Sequence, residues 1–388
     1  MKVRIASIDI FRALTMLLMI FVNDLWTLKD IPGWLEHTNA KEDGMGLADV
    51  VFPAFLFIVG LSIPFAMKAR YNRGDSTFQV IIHILRRALA LILMGFYMVN
   101  KDQISGPHSF KILWGILMII AFVMIWNDYP QKKFAKIPVW ILQLTGIAIL
   151  IILALSFPSG FNGEHEWMKP RWWGILGLIG WAYLVCAMLY LFAIKQGWLI
   201  PIFWLALYAL NLLEFHEAGD FLPRRLLIVS ASNHALVMSG ILATQIYLSV
   251  RETRLRNYFP ALLLVPAILM IVYGFSVRPE WGISKIMATP SWTSICAGIC
   301  FAFFALVYVI ADMLKSTCWA AVIMPAGRST LTCYLLPGLV YPFIWPLQQQ
   351  LPEVFLTGLV GLAKSLIFAL LIILLTGLLE KINIRLRI

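Results

Sequence analysis

Apolar residues run along this chain in long, unbroken stretches with few charges inside them. The stretches fall near 9–27, 47–67, 79–99, 110–127, 138–157, 173–194, 198–213, 229–250, 258–276, 291–313, 319–346 and 354–379. Most approach the roughly 20 residues that a helix needs to cross a bilayer. A membrane β-barrel would instead show alternation in segments of about ten residues. The pattern predicts an all-α, polytopic transmembrane helical bundle of about 11–12 spans, because only helices or closed barrels satisfy their backbone groups in lipid. The stretch at 198–213 is short. The stretch at 319–346 is broken by Pro325, Pro337, Pro342 and Pro346, which predicts a kinked or partly re-entrant span.

Composition agrees with the pattern. The chain has 388 residues, 61% hydrophobic and 13% charged, with a mean hydropathy of +0.84. So few charges cannot hydrate the surface of a soluble domain of this size, which excludes a soluble enzyme, a disordered tail and a repeat solenoid. A single transmembrane domain over 1–388 is expected. Met1 to Arg4 and the apolar run after them imitate a signal peptide. Asp9 and Arg12 interrupt that run and no small-residue cleavage site follows, so it reads as an uncleaved first span. Cys186, Cys296, Cys300, Cys318 and Cys333 lie in or beside apolar runs without CxxC or Cys/His spacing. Neither a disulfide framework nor a metal site is expected.

The net charge of +11 would suggest nucleic acid in a soluble protein. In a membrane protein it reads as topology, because Lys and Arg concentrate in cytoplasmic loops. With the N-terminus inside, the inward segments hold 16 basic residues and the outward loops hold 10, with twelve of the 20 acids. Both termini are therefore expected in the cytoplasm, with an even number of spans and no nucleic-acid partner. The outward segments 28–46, 158–172, 214–228 and 277–290 carry Trp, His and acidic residues, a mix suited to a sugar. The short basic inward loops suit phosphates.

Ionisable residues within spans are costly and therefore functional candidates. The first span has Asp9 and Arg12, then Asn23 and Asp24 near its outer end. The second opens on Asp49, the third carries Arg86 and Arg87, and the eighth carries Asn233 and His234. Arg328 and Lys364 lie in the last two. Blander roles exist for each. Asp9 can pair with Arg12, Asp49 can cap its helix, and Arg86, Arg87 and Lys364 can snorkel. His234 can serve as an interhelical hydrogen-bonding group. His37 lies between Asn23 and Asp49 in a short outer loop. There a neutral imidazole could take a proton from an attacking amine, with a carboxylate to orient it and an amide to stabilise an oxyanion.

Ser7-Ile-Asp9-Ile-Phe-Arg12, then Phe21-Val-Asn23, resembles the start of the heparan-alpha-glucosaminide N-acetyltransferase family. So does Leu47-Ala-Asp49-Val-Val-Phe52-Pro53-Ala-Phe55-Leu-Phe57-Ile-Val-Gly60. The family motifs lie in the first 100 residues, with weaker similarity at Ser232-Asn233, Ser284-Lys285 and Gly327-Arg328-Ser329. The resemblance implies transfer of acetyl from cytoplasmic acetyl-CoA to the amine of a glucosamine on the far side. For its bacterial branch it implies the inner (plasma) membrane, and it suggests a homodimer. It makes His37 the catalytic histidine, with Asn23, Asp49 and Asp9 as polar partners. Arg12, Arg86, Arg87 and Lys285, with Arg70, are the expected CoA contacts, and Trp34, Asn233 and His234 the expected sugar contacts. The chain departs from the family pattern twice. Thr38 to Gly44 makes the loop after His37 about two residues longer, and Ile116-Leu117-Met118-Ile119 replaces a Gln-Arg string in the fourth span. An amino-sugar transporter and a catalytically inactive relative are the alternative functions.

Overall fold

A computed structural model describes residues 5–130, 138–157, 167–215 and 230–388. Lys2, Arg4, Lys132, Lys133, Lys136, Arg224 and Arg225, which entered the charge count, lie outside the described residues, as do parts of the outward segments 158–172 and 214–228. The described residues form α1 (Ala6–Asp24), α2 (Leu47–Tyr71), α3 (Thr77–Lys101), α4 (His108–Trp126), α5 (Val139–Leu155), α6 (Gly174–Ala193) and α7 (Leu199–Leu213). The rest are α8 (Ala231–Val250), α9 (Phe259–Trp281), α10 (Pro290–Tyr308), α11 (Met324–Arg328), α12 (Thr330–Gln348) and α13 (Gly358–Lys381). The expected all-α polytopic bundle is what forms, and each apolar stretch coincides with a helix.

Nine helices among the described residues are long and apolar enough to cross a membrane. The shortfall from the expected 11–12 has physical reasons. Helices α5 and α7 reach only about 25 and 22 Å at 1.5 Å per residue, short of a ~30 Å hydrocarbon core. Helix α8 carries Ser232, Asn233, His234, Ser239 and Thr244, all buried. It is a core helix wrapped by α2, α6, α7, α9 and α10, so the bundle and not lipid surrounds its polar groups. It meets α2 at a glycine crossing. A Cβ on Gly60 would stand 1.9 Å from the Val237 carbonyl, and one on Gly240 1.9 Å from that of Phe57. Only hydrogen at both positions lets the two backbones approach so closely.

Alternating helices bring the start of α1 and the residues after α13 to one end of the bundle, here called the terminal end. There the carboxylate of Asp312 accepts from the backbone N–H groups of Ala6 (3.0 Å) and Ser7 (2.9 Å). It thereby satisfies the orphan donors that open α1. Residues 385–387 lie along the end of α4: Asp128 N–H donates to the Arg385 carbonyl (2.8 Å) and Arg387 N–H to that of Trp126 (2.8 Å). The proline-rich stretch breaks between α11 and α12 at Ser329 (φ −121°, ψ 50°) and not at a proline, for Pro337, Pro342 and Pro346 lie inside the continuous α12. The broken ladder leaves carbonyls free, and arginines take them. Arg12 donates to the Gly327 carbonyl (3.4 Å) and Arg385 to that of Arg328 (2.7 Å).

Candidate functional site

At the far end of the bundle, the start of α2 builds a buried carboxylate site. Asp49 is 1% exposed. It stands three residues after the N-cap Gly46 and accepts that residue's N–H at 3.1 Å, the acid half of a capping box. The same Oδ2 accepts from Thr38 N–H (3.1 Å), while Oδ1 lies 2.7 Å from His37 Nδ1 and 3.6 Å from Lys285 Nζ. The helix N-terminus further favours the negative charge. Below it, the Trp292 indole donates to the Asp49 carbonyl at 3.3 Å.

Two segments deliver the partners. Residues 34–46 fold back so that the Glu36 carbonyl lies against Gly46, where a Cβ would sit 2.0 Å from it. Only glycine admits that approach, which sets His37 and Thr38 over Asp49. Changing Gly46→Ala is expected to push the loop off α2 and lower activity by about tenfold or more, since ~1 Å of misplacement can cost as much as 100-fold. Steady-state kinetics beside an unchanged elution profile checks this. The second segment is the α9–α10 turn. Asp43 binds Arg278 Nε (3.0 Å) and Ile283 N–H (2.7 Å), Gly44 N–H donates to the Ile283 carbonyl (3.0 Å), and Ser284 Oγ donates to that of Ala40 (3.3 Å). These bonds seam the loop to the turn that carries Lys285. The N–H of Ile283, ahead of the Arg278 guanidinium, holds the Asp43 carboxyl below its ordinary range.

A 2.7 Å contact between Nδ1 and a carboxylate needs a proton between them, so Nδ1–H donates to Asp49 and Nε2 is the ring nitrogen left for a substrate. The His37 side chain is half-exposed. An oriented imidazole with an accessible Nε2 can accept a proton or attack a carbonyl carbon.

The terminal end is basic. A cavity of about 370 Å³ is lined towards that end by Arg12, Arg328, Arg385 and Arg387, and deeper by Arg87, Met19, Phe55 and Val59. Its volume is within the range of small-molecule sites. Arg12 bonds Ser62 (2.7 Å) and Asp9 (3.3 Å), Arg328 pairs with Glu380 (3.2 Å) and Arg387 with Asp128 (3.3 Å). Arg87 lies over the Tyr183 ring at 4.9 Å, and its Nε is buried with no hydrogen-bond partner among the described residues. A second, more open cavity of about 1040 Å³ adjoins at Arg12 and Ser62 and adds Lys68, Arg73, Arg251 and Arg256. Phe55 is six residues from Asp49 on α2, so the first cavity ends about 9 Å along the axis from the carboxylate.

Of the residues singled out in the sequence, His37 and Asp49 come together, with Trp34 67% exposed in the same loop. Asp9 does not join them. It pairs with Arg12 at the terminal end, about 20 Å of helix from Asn23, and so belongs to the basic cavity. Lys285 is also relocated, to the His37–Asp49 pair and away from the arginines. Arg86 is exposed and lines neither cavity, because consecutive residues on a helix point about 100° apart. Arg70 pairs with Asp75 in its own turn. Asn23 is exposed at the end of α1 with no hydrogen bond to the pair. Asn233 and His234 are buried at the start of α8, and His234 Nδ1 donates to the Ser230 carbonyl at 2.9 Å. Lys364 does not snorkel. It pairs with buried Asp24 (3.6 Å), which also accepts from Tyr341 (2.7 Å) and Ser365 (2.6 Å). Sequence reading missed the cavity role of Arg385 and Arg387, which looked like topology signals, and of Ser62.

A family model described as "Heparan-alpha-glucosaminide N-acetyltransferase, catalytic" matches residues 4–180. The curated heparan-alpha-glucosaminide N-acetyltransferases of Homo sapiens and Mus musculus are 36% and 34% identical over 110 residues, which is 27% of this chain and 15% of each relative. The alignment thus spans only a small part of those relatives' length. The model match takes in His37, Asp49, Arg12 and Arg87, and stops short of Lys285 and the C-terminal arginines. The match over residues 4–180 takes in just under half of the chain, and it is this segment that is similar to the catalytic region of the heparan-alpha-glucosaminide N-acetyltransferase family.

Proposed function

We propose that the chain transfers acetyl from acetyl-CoA, entering at the terminal end, to the free amine of a glucosamine-type sugar arriving at the far end. The carrying observation is the His37–Asp49 pair with its open Nε2 at one end, facing a basic-mouthed cavity that approaches it from the other. The arginines at the mouth suit the diphosphate and 3′-phosphate of CoA, since guanidinium forks bind phosphate oxygens bidentately. The Arg87 side chain adds a further guanidinium to that wall. The apolar depth past Val59 and Phe55 suits the pantetheine arm. The positive-inside bias supports a cytoplasmic terminal end.

In this reading the sugar amine attacks the thioester carbonyl carbon, and the C–S bond breaks as the C–N bond forms. His37 Nε2 takes the proton that the amine loses, Asp49 holds the resulting imidazolium, and the CoA thiolate carries away the electron pair. His37 can instead carry the acetyl group itself between two such transfers. Asn23, exposed at the end of α1, is the amide that the family resemblance assigns to the thioester oxygen. Trp34 offers a ring face to the sugar. Two copies of the chain would give the homodimer that the family resemblance suggests.

The test is acetyl transfer by the purified, detergent-solubilised protein from radiolabelled acetyl-CoA to glucosamine, with the product identified by mass. Absence of product under conditions where acetyl-CoA stabilises the fold would overturn it. The phosphate assignment has its own expected result. The pair Arg328→Gln and Arg387→Gln should each raise the KM for acetyl-CoA by about threefold to tenfold with kcat little changed, as expected for partly exposed charge contacts worth about 1 kcal/mol. Kinetics at two salt concentrations should show a weaker salt dependence in both variants.

A further inference from the structure

We infer that Lys285 is a positioning residue that keeps His37 a neutral base by balancing the buried charge of Asp49. The inference rests on the acetyl-transfer reading for its consequence in catalysis, though not for its electrostatics. Lys285 Nζ stands 3.6 Å from Asp49 Oδ1 and 3.1 Å from His37 Nδ1. Nδ1 cannot both donate to the carboxylate and accept from an ammonium. With its proton pointing at Asp49, the approach of Lys285 to the ring is no hydrogen bond. The ammonium is held in that corner by the carboxylate, and the ring shares the space.

This placement fixes the charge count. One buried carboxylate faces one ammonium and one imidazole. While the imidazole is neutral, the corner balances. If the ring gained a proton, two cations would share a single carboxylate, with Lys285 against the ring nitrogen. Like charge at this range disfavours the charged form. Were Lys285 absent, Asp49 would be an unbalanced buried anion, and protonated His37 would be its natural partner. Burial itself draws the Lys285 ammonium below the usual lysine range, and Asp49 opposes that pull.

Other groups near the ring have partners or other directions. Asp43 is tied to Arg278 and Ile283. Glu214, across the α7–α8 side, is engaged by Ala231 N–H, Ser230 and Asn211. Cys296 lies under the Asp49 carbonyl at 4.0 Å and is buried. Glu36, Lys41 and Glu42 are on the exposed side of the loop. Trp292 is uncharged, and its indole addresses the backbone of Asp49 and not its carboxylate. Among the described residues, Lys285 is thus the cation placed to set the ring's protonation. It reaches the site from a turn outside the family-matched segment, so the site is completed by a second part of the chain.

The experiment follows carbethoxylation of His37 by diethyl pyrocarbonate, which attacks the neutral imidazole. Mass spectrometry of the His37 peptide is read across pH in the full-length protein. The midpoint in Lys285→Gln, and in Lys285→Met as a second neutral variant, is expected to rise by about one pH unit or more. Lys285→Arg should stay near the unsubstituted protein. The acid limb of kcat/KM for acetyl transfer should move by the same amount, whereas a lysine that merely braces the turn would lower activity without moving the limb. Coincident midpoints in the neutral variants and the unsubstituted protein, or a shift in Lys285→Arg as large as in Lys285→Gln, would overturn the inference. If the unsubstituted protein transfers no acetyl group, the functional reading fails, yet the carbethoxylation midpoints still decide the role of Lys285.

Discussion

Replacing His37 by alanine is expected to cut acetyl transfer by roughly 10²–10⁴-fold, the range for loss of a positioned general base. Acetyl-CoA should still protect the variant against thermal unfolding, because the basic cavity is at the opposite end of the bundle. The His37 side chain is half-exposed, so truncation leaves no buried void and folding should survive. Asp49→Asn should lose a comparable factor for a different reason. An amide in place of the carboxylate removes the charge that stabilises the imidazolium and no longer selects the Nδ1–H tautomer. With the amide oxygen where Thr38 N–H and Gly46 N–H already share Oδ2, the NH2 group would face the Lys285 ammonium in place of Oδ1, so this variant should lose some stability as well. Full activity in His37→Ala would remove the histidine from the reaction. Single-turnover measurements would separate the two roles left open for it, because a histidine that carries the acetyl group gives a burst of free CoA before any sugar is added.

The bundle itself was legible in the sequence, because span length and hydropathy answer directly to the bilayer and depend little on neighbours. Hydropathy alone does not say what surrounds a helix. Helix α8 reads as one more span, and its hydropathy does not reveal that its polar side chains face protein at the core of the bundle. The pairing of His37 with Asp49 was also legible, since twelve residues separate them and one helix start fixes both. Lys285 was not, being brought in by a seam between two loops about 240 residues apart, through Asp43, Gly44 and Ile283. The longer loop after His37, a departure from the family pattern, supplies part of that seam. The same limit applies at the terminal end. Arg385 and Arg387 carried only a topology signal in the sequence, because nothing local shows that the segment folds back along α4. Asp9 was drawn to His37 by resemblance, although its helix places it a bilayer's depth away. Arg86 and Arg87 looked equivalent side by side, and the helical turn alone separates them.

Val59→Trp is expected to abolish transfer, with a loss of at least about 100-fold, while leaving the His37–Asp49 pair untouched. Val59 is half-buried on α2 and lines the first cavity beyond the arginine mouth, about 15 Å along the helix from Asp49. An indole there would fill much of a volume of about 370 Å³ at the level where, on the proposed route, the pantetheine arm passes. The side chain already faces open space, so the larger group can enter the void in place of straining packed neighbours, unlike an enlargement at the Gly60–Gly240 crossing. The thermal transition of the free protein should therefore move by only a few degrees. The response to ligand should change far more. Acetyl-CoA at 100 times its dissociation constant stabilises a protein by about 2.7 kcal/mol, and this stabilisation should be lost or greatly reduced in the variant. A CoA fragment lacking the pantetheine arm, such as adenosine 3′,5′-bisphosphate, should still protect it, because the arginines at the mouth remain in place. If Val59→Trp kept both its transfer rate and its stabilisation by acetyl-CoA, the thioester would have to reach His37 by a route outside this cavity. The basic mouth would then be a phosphate site unconnected to the reaction. Loss of transfer with acetyl-CoA binding retained would instead put the bulky group at the last step of the path, between a correctly held thioester and the imidazole that serves it.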